Sequence, residues 1–224
     1  MSDSNRKYWN EQFKILQDTW PKPDNFSGCI SICLELHGMV HSRTPEQAVP
    51  VSFEDELWTV LTEEAFRKLH HGDQSIAWKL WHSGRIEDMT MNVLIAGAGQ
   101  VIDEDDRYRK LNVKARDTGN AMNEDEIAEM SGSIDIEALK SYRNEVAGRT
   151  RKIIRSLKPQ DLKLKVDAAR LDSLMADGSL VPGARGIYDY WKKKTYAGLL
   201  LMPATRHLLV HLNESMRLVP ASPR

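Results

Sequence analysis

The sequence predicts an all-α protein, a four-helix bundle with extra short helices. Apolar residues fit helical spacing in four long stretches, whereas no stretch alternates with the period of a strand for more than a few residues. Capping residues, prolines and glycines mark the ends of these stretches, and no internal repeat is visible. The core helices are expected at about 24–42, 73–98, 135–157 and 195–217.

The composition fits one soluble globular domain over all 224 residues, because 41% of the residues are apolar and 28% are charged. The 31 basic residues nearly balance the 32 acidic ones, and the longest basic run is the three lysines at 192–194. Nucleic-acid binding is therefore not expected. No segment approaches the roughly 20 apolar residues that cross a bilayer, and the first residues lack the apolar stretch of a signal peptide. We expect a cytoplasmic protein without a membrane partner.

The first part of the chain is expected to contain a short helix and then a buried one. Residues 5–18 form the short helix, which ends before Trp20 and Pro21. After Pro23 the apolar residues fit a buried helix that runs to about His41.

Capping signals place the next three helices. Ser52 and Thr62 each precede acidic residues in a pattern that opens a short helix. Asp73 is expected to cap the second long helix, which Gly97 and Gly99 end.

A longer connection separates the second long helix from the third. Residues 111–120 are polar and irregular, which suits a crossover connection of a bundle. Asn123 and Glu126 have the spacing of a capping box. The third long helix is expected over 135–157, and Pro159 follows it.

The last part of the chain leads into the fourth long helix. Residues 161–177 form a weaker helical segment, and residues 178–186 form a loop. A helical turn around Tyr188 and Trp191 precedes the last helix, which covers residues 195–218.

The last helix carries a pair of histidines, His207 and His211. Residues four apart lie on the same face of a helix, so two imidazoles with this spacing can bind one metal ion. The same side carries Leu200 and Ala204, which directs it toward the core. Pro203 removes a backbone donor, and we expect a kink there that helps to aim the histidine face.

A metal site needs a further ligand, and the best candidate is His82 on the second long helix. It shares a largely apolar face with Trp78 and Met89. The alternative is a core histidine bonded to a backbone carbonyl, but three inward histidines with one pair four residues apart favour a metal. Glu87 and Asp88 are expected to point elsewhere, as surface charges or as acceptors behind the ligands.

The first buried helix offers a rival series with the same spacing, Cys29, Cys33, His37 and His41. One helical ridge rarely supplies more than two ligands to a single ion, because each turn rises about 5.4 Å. The cysteines are therefore interpreted as small, reduced core residues. The two histidines either contribute to the same bundle cavity or lie at its exposed mouth, close to Pro45.

Around His82 and in the last helix the sequence resembles the DinB/YfiT-like superfamily, a group of bacterial four-helix-bundle metalloenzymes. The resemblance spans roughly Phe53 to the C-terminus, and it is carried by Trp81-His82, Arg85-Ile86-Glu87-Asp88, Asn92, Arg206-His207 and His211. It implies an up-down-down-up bundle, frequent homodimers and a three-histidine site for a divalent metal, often nickel or zinc. The implied ligands are His82, His207 and His211. Relatives include thiol-dependent enzymes such as mycothiol-dependent isomerases.

Two functional hypotheses follow. The first is a divalent-metal-dependent enzyme, a hydrolase or a thiol-dependent transferase, which acts on a small molecule and takes a low-molecular-weight thiol in the second case. The second is a non-catalytic metal-binding or stress-response bundle protein. An apolar pocket beside the metal with a few convergent polar groups would favour the enzyme. The candidates for lining such a pocket are His37, His41, Arg85 and Asn92.

Overall fold

The computed structural model describes residues 2–20, 25–44, 51–70 and 74–220. Within these ranges the chain forms helices and connections but no β-strand, which confirms the all-α prediction. Lys165 and Thr195 pair only as an isolated antiparallel bridge.

Helices make up most of the described chain. The α-helices are α1 (Asp3–Thr19), α2 (Phe26–Met39), α3 (Phe53–Val60), α4 (Glu63–Arg67), α5 (Ile76–Glu87), α6 (Arg107–Lys110), α7 (Glu124–Ser133), α8 (Ile136–Ser156), α9 (Ala168–Ala176), α10 (Arg185–Lys192), α11 (Tyr196–Leu201) and α12 (His207–Leu218). A π-helical segment, Asp88–Ile95, continues α5, and a second one, Met202–Arg206, joins α11 to α12. Short 3₁₀ turns cover Val101–Asp103, Pro159–Lys163 and Pro182–Ala184.

Four long elements form the bundle: α2, α5 with its π segment, α8, and α11–α12 with the π segment between them. α5 packs against both α8 and α12, and α2 packs against α8 and the segment Met202–Arg206. The shared core contains the fully buried side chains of Leu36, Leu80, Leu139 and Leu208. The predicted four-helix bundle is therefore confirmed.

α5 is surrounded by protein on every side. All twelve of its residues are buried, and burial continues through Asn92 in the π segment. A helix in this position has no solvent face on which to place polar residues. Its histidine, arginine and carboxylates must therefore find partners inside the bundle, because an unpaired polar group in the interior costs several kcal/mol.

The ends of α5 are set by local signals. The predicted cap Asp73 lies outside the described residues, and the N-cap is Ser75, whose hydroxyl accepts a hydrogen bond from the backbone N–H of Trp78. After the π segment Gly97 adopts a left-handed φ of 66°, which ends the helix as predicted.

The connection after α5 is irregular over 111–120, as expected. Asn123 and Glu126 form the predicted capping box at the start of α7, and Asp135 caps α8. Between α8 and α10 only Ala168–Ala176 is α-helical, so the weaker segment predicted over 161–177 is shorter than expected.

The expected distortion at Pro203 takes the form of a π segment. Proline has no N–H to donate, so the regular α-helical hydrogen-bond ladder cannot continue through it. Thr205 Oγ1 donates to the carbonyl oxygens of Leu200 and Leu201 at 2.9 and 3.0 Å. Among the described residues, no helix is both long enough and apolar enough to cross a membrane.

Candidate metal centre

Three histidine side chains from two helices converge inside the bundle. α5 supplies His82, and α12 supplies His207 and His211 from adjacent turns. Nε2 of His207 lies 3.3 Å from Nε2 of His82 and 3.1 Å from Nε2 of His211. One ring nitrogen from each residue lies within 4.8 Å of those from the other two. The fold thus brings together the three histidines that the sequence singled out, and we call them the histidine triad.

A backbone carbonyl and a tryptophan fix the ring of His82. Its Nδ1 lies 2.6 Å from the carbonyl oxygen of Thr118, and Trp78 stacks on the ring with centroids 4.4 Å apart and planes 7° apart. A carbonyl oxygen only accepts, so Nδ1 carries the hydrogen and Nε2 presents a lone pair to the other two rings. A hydrogen bond to a backbone carbonyl was expected if His82 were an ordinary core histidine. The same hydrogen bond also orients a histidine that binds a metal.

Gly119 allows the connection to place the Thr118 carbonyl at this point. Its φ is 77°, and a Cβ built there would lie 2.7 Å from Nε1 of Trp78 and 2.9 Å from the ring of Trp81. Any larger residue would be strained and would push the loop away from α5. The irregular connection thus contributes a precise backbone contact to the triad.

A carboxylate fixes the ring of His211. Nδ1 of His211 lies 2.9 Å from Oε2 of Glu214, and Nζ of Lys79 donates to the same oxygen at 3.2 Å. The hydrogen bond from His211 is the main cause that lowers the pKa of Glu214 to about 2, against the opposing effect of burial. The carboxylate is therefore ionised at neutral pH and accepts the Nδ1 hydrogen, which leaves Nε2 of His211 bare.

These hydrogen bonds leave surplus lone pairs at the centre of the triad. The bare Nε2 atoms of His82 and His211 both face Nε2 of His207, which can donate to only one of them. Nδ1 of His207 is buried and has no hydrogen-bond partner. Burial is the main cause that lowers the pKa of His82 to about 3. Burial also lowers the pKa of His207 well below its ordinary value, so these two rings are neutral at neutral pH.

The donor set fits a divalent cation. Imidazole nitrogens bound to zinc at about 2.0–2.1 Å in a tetrahedral arrangement lie roughly 3.3 Å apart. The two nitrogen–nitrogen distances at His207, 3.1 and 3.3 Å, agree with this spacing. Neutral imidazoles suit zinc, nickel, copper and iron better than magnesium or calcium, which prefer oxygen donors.

A cleft of about 190 Å³ lies beside His82 and His207. Its lining is mostly apolar and comes mainly from α10 and the second π segment, with Asn120 and Tyr190 as polar additions: Ile86, Asn120, Gly186, Ile187, Tyr190, Trp191, Met202 and Pro203. The four residues expected to line such a pocket, His37, His41, Arg85 and Asn92, are not part of this lining. Their side chains contact other neighbours: His37 and His41 contact Glu87, whereas Arg85 and Asn92 contact Asp88.

Arg85 instead holds the connection that orients His82. Its guanidinium donates to the carbonyl oxygen of Arg116, to Oε1 of Gln100 at 2.6 Å and to the hydroxyl of Tyr142 at 3.1 Å. Nη1 also donates to Oδ2 of Asp88 at 3.2 Å. The side chain is 0% exposed, so this network replaces the water that an arginine normally binds.

Asp88 ties the end of α5 to the chain that follows the helix. Its carboxylate accepts hydrogen bonds from the backbone N–H groups of Val101 and Ile102, from Asn92 Nδ2 and from the Tyr142 hydroxyl. Of the two roles expected for Asp88, the structure excludes the surface charge. Burial raises the pKa of this carboxyl, and the charge of Arg85 and the hydrogen bonds from Val101, Tyr142 and Ile102 oppose the rise.

Glu87 also lies in the interior, where it contacts His37 and His41 rather than solvent. These three side chains are at most 1% exposed. Of the two positions expected for these histidines, the exposed mouth of the bundle is wrong, because both side chains are buried. The interpretation of Cys29 and Cys33 agrees with the structure, where both are free, buried thiols, and burial raises the pKa of Cys33 to about 12.

The fold and the site define a helical-bundle protein with a potential histidine metal centre. The sequence profile of the DinB superfamily matches residues 54–214, and the chain belongs to this superfamily. The match begins at the start of α3 and includes all three triad histidines. No curated protein matches the chain.

Proposed function

We propose that this protein is a divalent-metal-dependent enzyme, a hydrolase or a thiol-dependent transferase. His82, His207 and His211 would hold the ion, with zinc or nickel as the best candidates. The observation that carries the proposal is that two members of the triad, His82 and His207, line a mostly apolar cleft. A purely structural site would have no reason to adjoin such a cleft.

Three neutral imidazoles would leave a coordination position open, where a divalent ion lowers the pKa of a bound water or thiol. The chain prepares this position through its own hydrogen bonds. Thr118 and Glu214 hold the Nδ1 hydrogens of His82 and His211, which keeps both Nε2 atoms available and correctly turned.

The cleft would select and orient the substrate. Ile86, Trp191 and Met202 supply apolar surface that excludes water, while Asn120 and Tyr190 supply an amide and a phenol hydroxyl. A small molecule with an apolar body and one or two polar groups fits this lining. A low-molecular-weight thiol would meet the same surface when it approaches the ion.

The alternative is a metal-binding protein without turnover. One observation favours it: the described residues that line the cleft include no Asp, Glu or Lys to act as a general base. In the enzyme, proton transfer would therefore rely on the metal-activated group or on the substrate itself.

Elemental analysis of the purified protein, followed by ester and thiol substrate screens with metal restored, tests the proposal. We expect metal-dependent turnover that is lost in His207→Ala. His70→Ala is the matched control, because His70 belongs to neither the triad nor the Glu87 group. Tight metal binding without turnover of any substrate class would favour the non-catalytic alternative.

A further inference from the structure

We propose that His37, His41 and Glu87 form a second divalent-cation site, closed to solvent and structural in role. A cation bound there would link the C-terminal end of α2 to α5. The proposal does not depend on the triad being catalytic, since the two groups of residues are separate.

The three side chains meet at one point in the interior. Nε2 of His37 lies 2.7 Å from Oε1 of Glu87, and Nε2 of His41 lies 3.0 Å from Oε2 of the same carboxylate. The two imidazole rings are 4.4 Å apart between centroids. One donor atom from each residue lies within 4.8 Å of the other two. Two nitrogens and a carboxylate oxygen form a donor set that zinc and other first-row ions accept.

The hydrogen bonds of this group are incomplete. His41 Nε2 lies close to Glu87 Oε2 but without the angle of a hydrogen bond, and neither ring nitrogen of His41 has a hydrogen-bond partner. Nδ1 of His37 and Oε2 of Glu87 are likewise unsatisfied. A buried polar group without a hydrogen-bond partner destabilises the fold. A bound cation would satisfy several of them at once.

The buried carboxylate is a further reason to expect a cation. Glu87 is fully buried, and a carboxylate in the interior needs a cation or hydrogen-bond donors beside it. Arg143 does not neutralise it by direct contact, because its hydrogen bonds go to Glu54, Ser83 and the carbonyl oxygen of Leu80.

A second carboxylate, that of Glu54, lies near Nδ1 of His41. Metal-binding histidines commonly have a carboxylate near the ring nitrogen that does not bind the metal. Oε2 of Glu54 lies 3.7 Å from Nδ1 of His41. Glu54 is itself held by Arg143 at 2.6 Å and by the backbone N–H of Ser42 at 3.1 Å. The hydroxyl of Ser52 donates to the carbonyl oxygen of His41 at 2.7 Å, which fixes the backbone at the end of α2.

Burial decides the role of the site. The triad adjoins a cleft, whereas His37, His41 and Glu87 are at most 1% exposed. A closed site suits an ion that joins chain segments rather than one that meets a substrate. The ion would link α2 to α5 directly, and it would reach α3 and α8 through Glu54 and Arg143.

Zinc stoichiometry measured by mass spectrometry of the native protein tests the proposal. We expect two tightly held equivalents of Zn²⁺ in the wild type and in the control His70→Ala. The double variant His207→Ala with His211→Ala should retain one equivalent, and Glu87→Gln should retain only the equivalent at the triad. A wild type that binds a single equivalent at saturation, lost in the double variant, would overturn the second site. A double variant that keeps both equivalents would instead refute the proposed function.

A second measurement covers the case in which Glu87→Gln does not fold. Crystals of the wild type grown with Zn²⁺ should give an anomalous-scattering peak between His37, His41 and Glu87, apart from any peak at the triad. A map with no peak at this position would refute the second site without any variant.

Discussion

Arg85 donates two N–H groups to the carbonyl oxygen of Arg116, from Nε at 3.2 Å and from Nη2 at 3.0 Å. Arg116 lies two residues before Thr118, whose carbonyl oxygen receives the Nδ1 hydrogen of His82. One turn of α5 therefore presents the candidate ligand, and the next turn holds the loop that orients it.

We expect Arg85→Lys to lower the free energy of unfolding by roughly 3 kcal/mol, because one ammonium cannot replace a planar guanidinium with several buried partners. We also expect about tenfold weaker zinc binding at the triad, because the Thr118 carbonyl is no longer held in place. Urea denaturation and a zinc competition assay measure the two effects. Arg217→Lys on the exposed side of α12 is the control and should change neither quantity. Unchanged zinc affinity in folded Arg85→Lys would contradict the positioning role.

We expect His82→Ala, His207→Ala and His211→Ala each to weaken zinc binding at the triad by more than about 100-fold, while helical content changes little. His37→Ala and His41→Ala should leave the affinity of the triad nearly unchanged, because their rings contact Glu87 instead. Competition with a chromophoric chelator, together with circular dichroism, compares the five variants. Loss of triad affinity in His41→Ala equal to that in His82→Ala would mean that α2 supplies a ligand.

We expect Gly119→Ala to destabilise the protein by about 1–3 kcal/mol, because φ is positive and the added Cβ would meet Trp78. Zinc affinity at the triad should fall with it. Gly148→Ala is the matched control: a Cβ there meets nothing within 4 Å, and alanine favours the helix by up to about 1 kcal/mol. If both variants unfold at the same urea concentration, the close approach at Gly119 has no energetic importance.

In the metal-free protein we expect stability to fall as the pH falls from about 6.5 toward 4. Burial, the largest cause in each case, lowers the pKa of His82 to about 3 and that of His37 to about 4, whereas both titrate near 6.5 when unfolded. The unfolded chain therefore binds protons in this range that the folded chain excludes. Each such histidine lowers the free energy of unfolding by about 1.4 kcal/mol per pH unit. Thermal unfolding with chelator between pH 7 and pH 4 measures the slope, which His37→Gln should reduce. A slope of opposite sign would contradict the neutral state of these rings.

We expect the protein to form a homodimer, on the basis of its superfamily resemblance. Light scattering over a wide concentration range measures the mass, for which the chain contributes 25.6 kDa. A monomer mass throughout that range would exclude the dimer.

The elements that were predictable from sequence are those defined by local signals. The capping box of Asn123 and Glu126 and the glycine at the end of the second long helix involve neighbours in the chain, and both occur as expected. The proximity of His207 and His211 follows from their spacing on one helix. Their role as ligands stays a prediction.

The errors arose where several elements meet. Glu87 and Asp88 were expected either as surface charges or as acceptors behind the ligands, and the first alternative is excluded because α5 and its π segment have no solvent face at these residues. The contact of Thr118 with His82 uses a backbone carbonyl, which every residue possesses and no side chain signals. Such a contact depends on the path of the connection, which is fixed only once the helices have packed.

The π segment Met202–Arg206 leads directly into α12, so its length sets the rotation of α12 around the helix axis. Deleting one residue there would turn α12 by about 100° around its axis, since an α-helix has 3.6 residues per turn. His207 and His211 would rotate away together, because their mutual spacing is unaffected, and His82 would be left facing another side of the helix. In this region we expect the number of residues to matter to the triad as much as their identity. A library of single insertions and deletions across 202–206 should therefore contain folded bundles that have lost the triad.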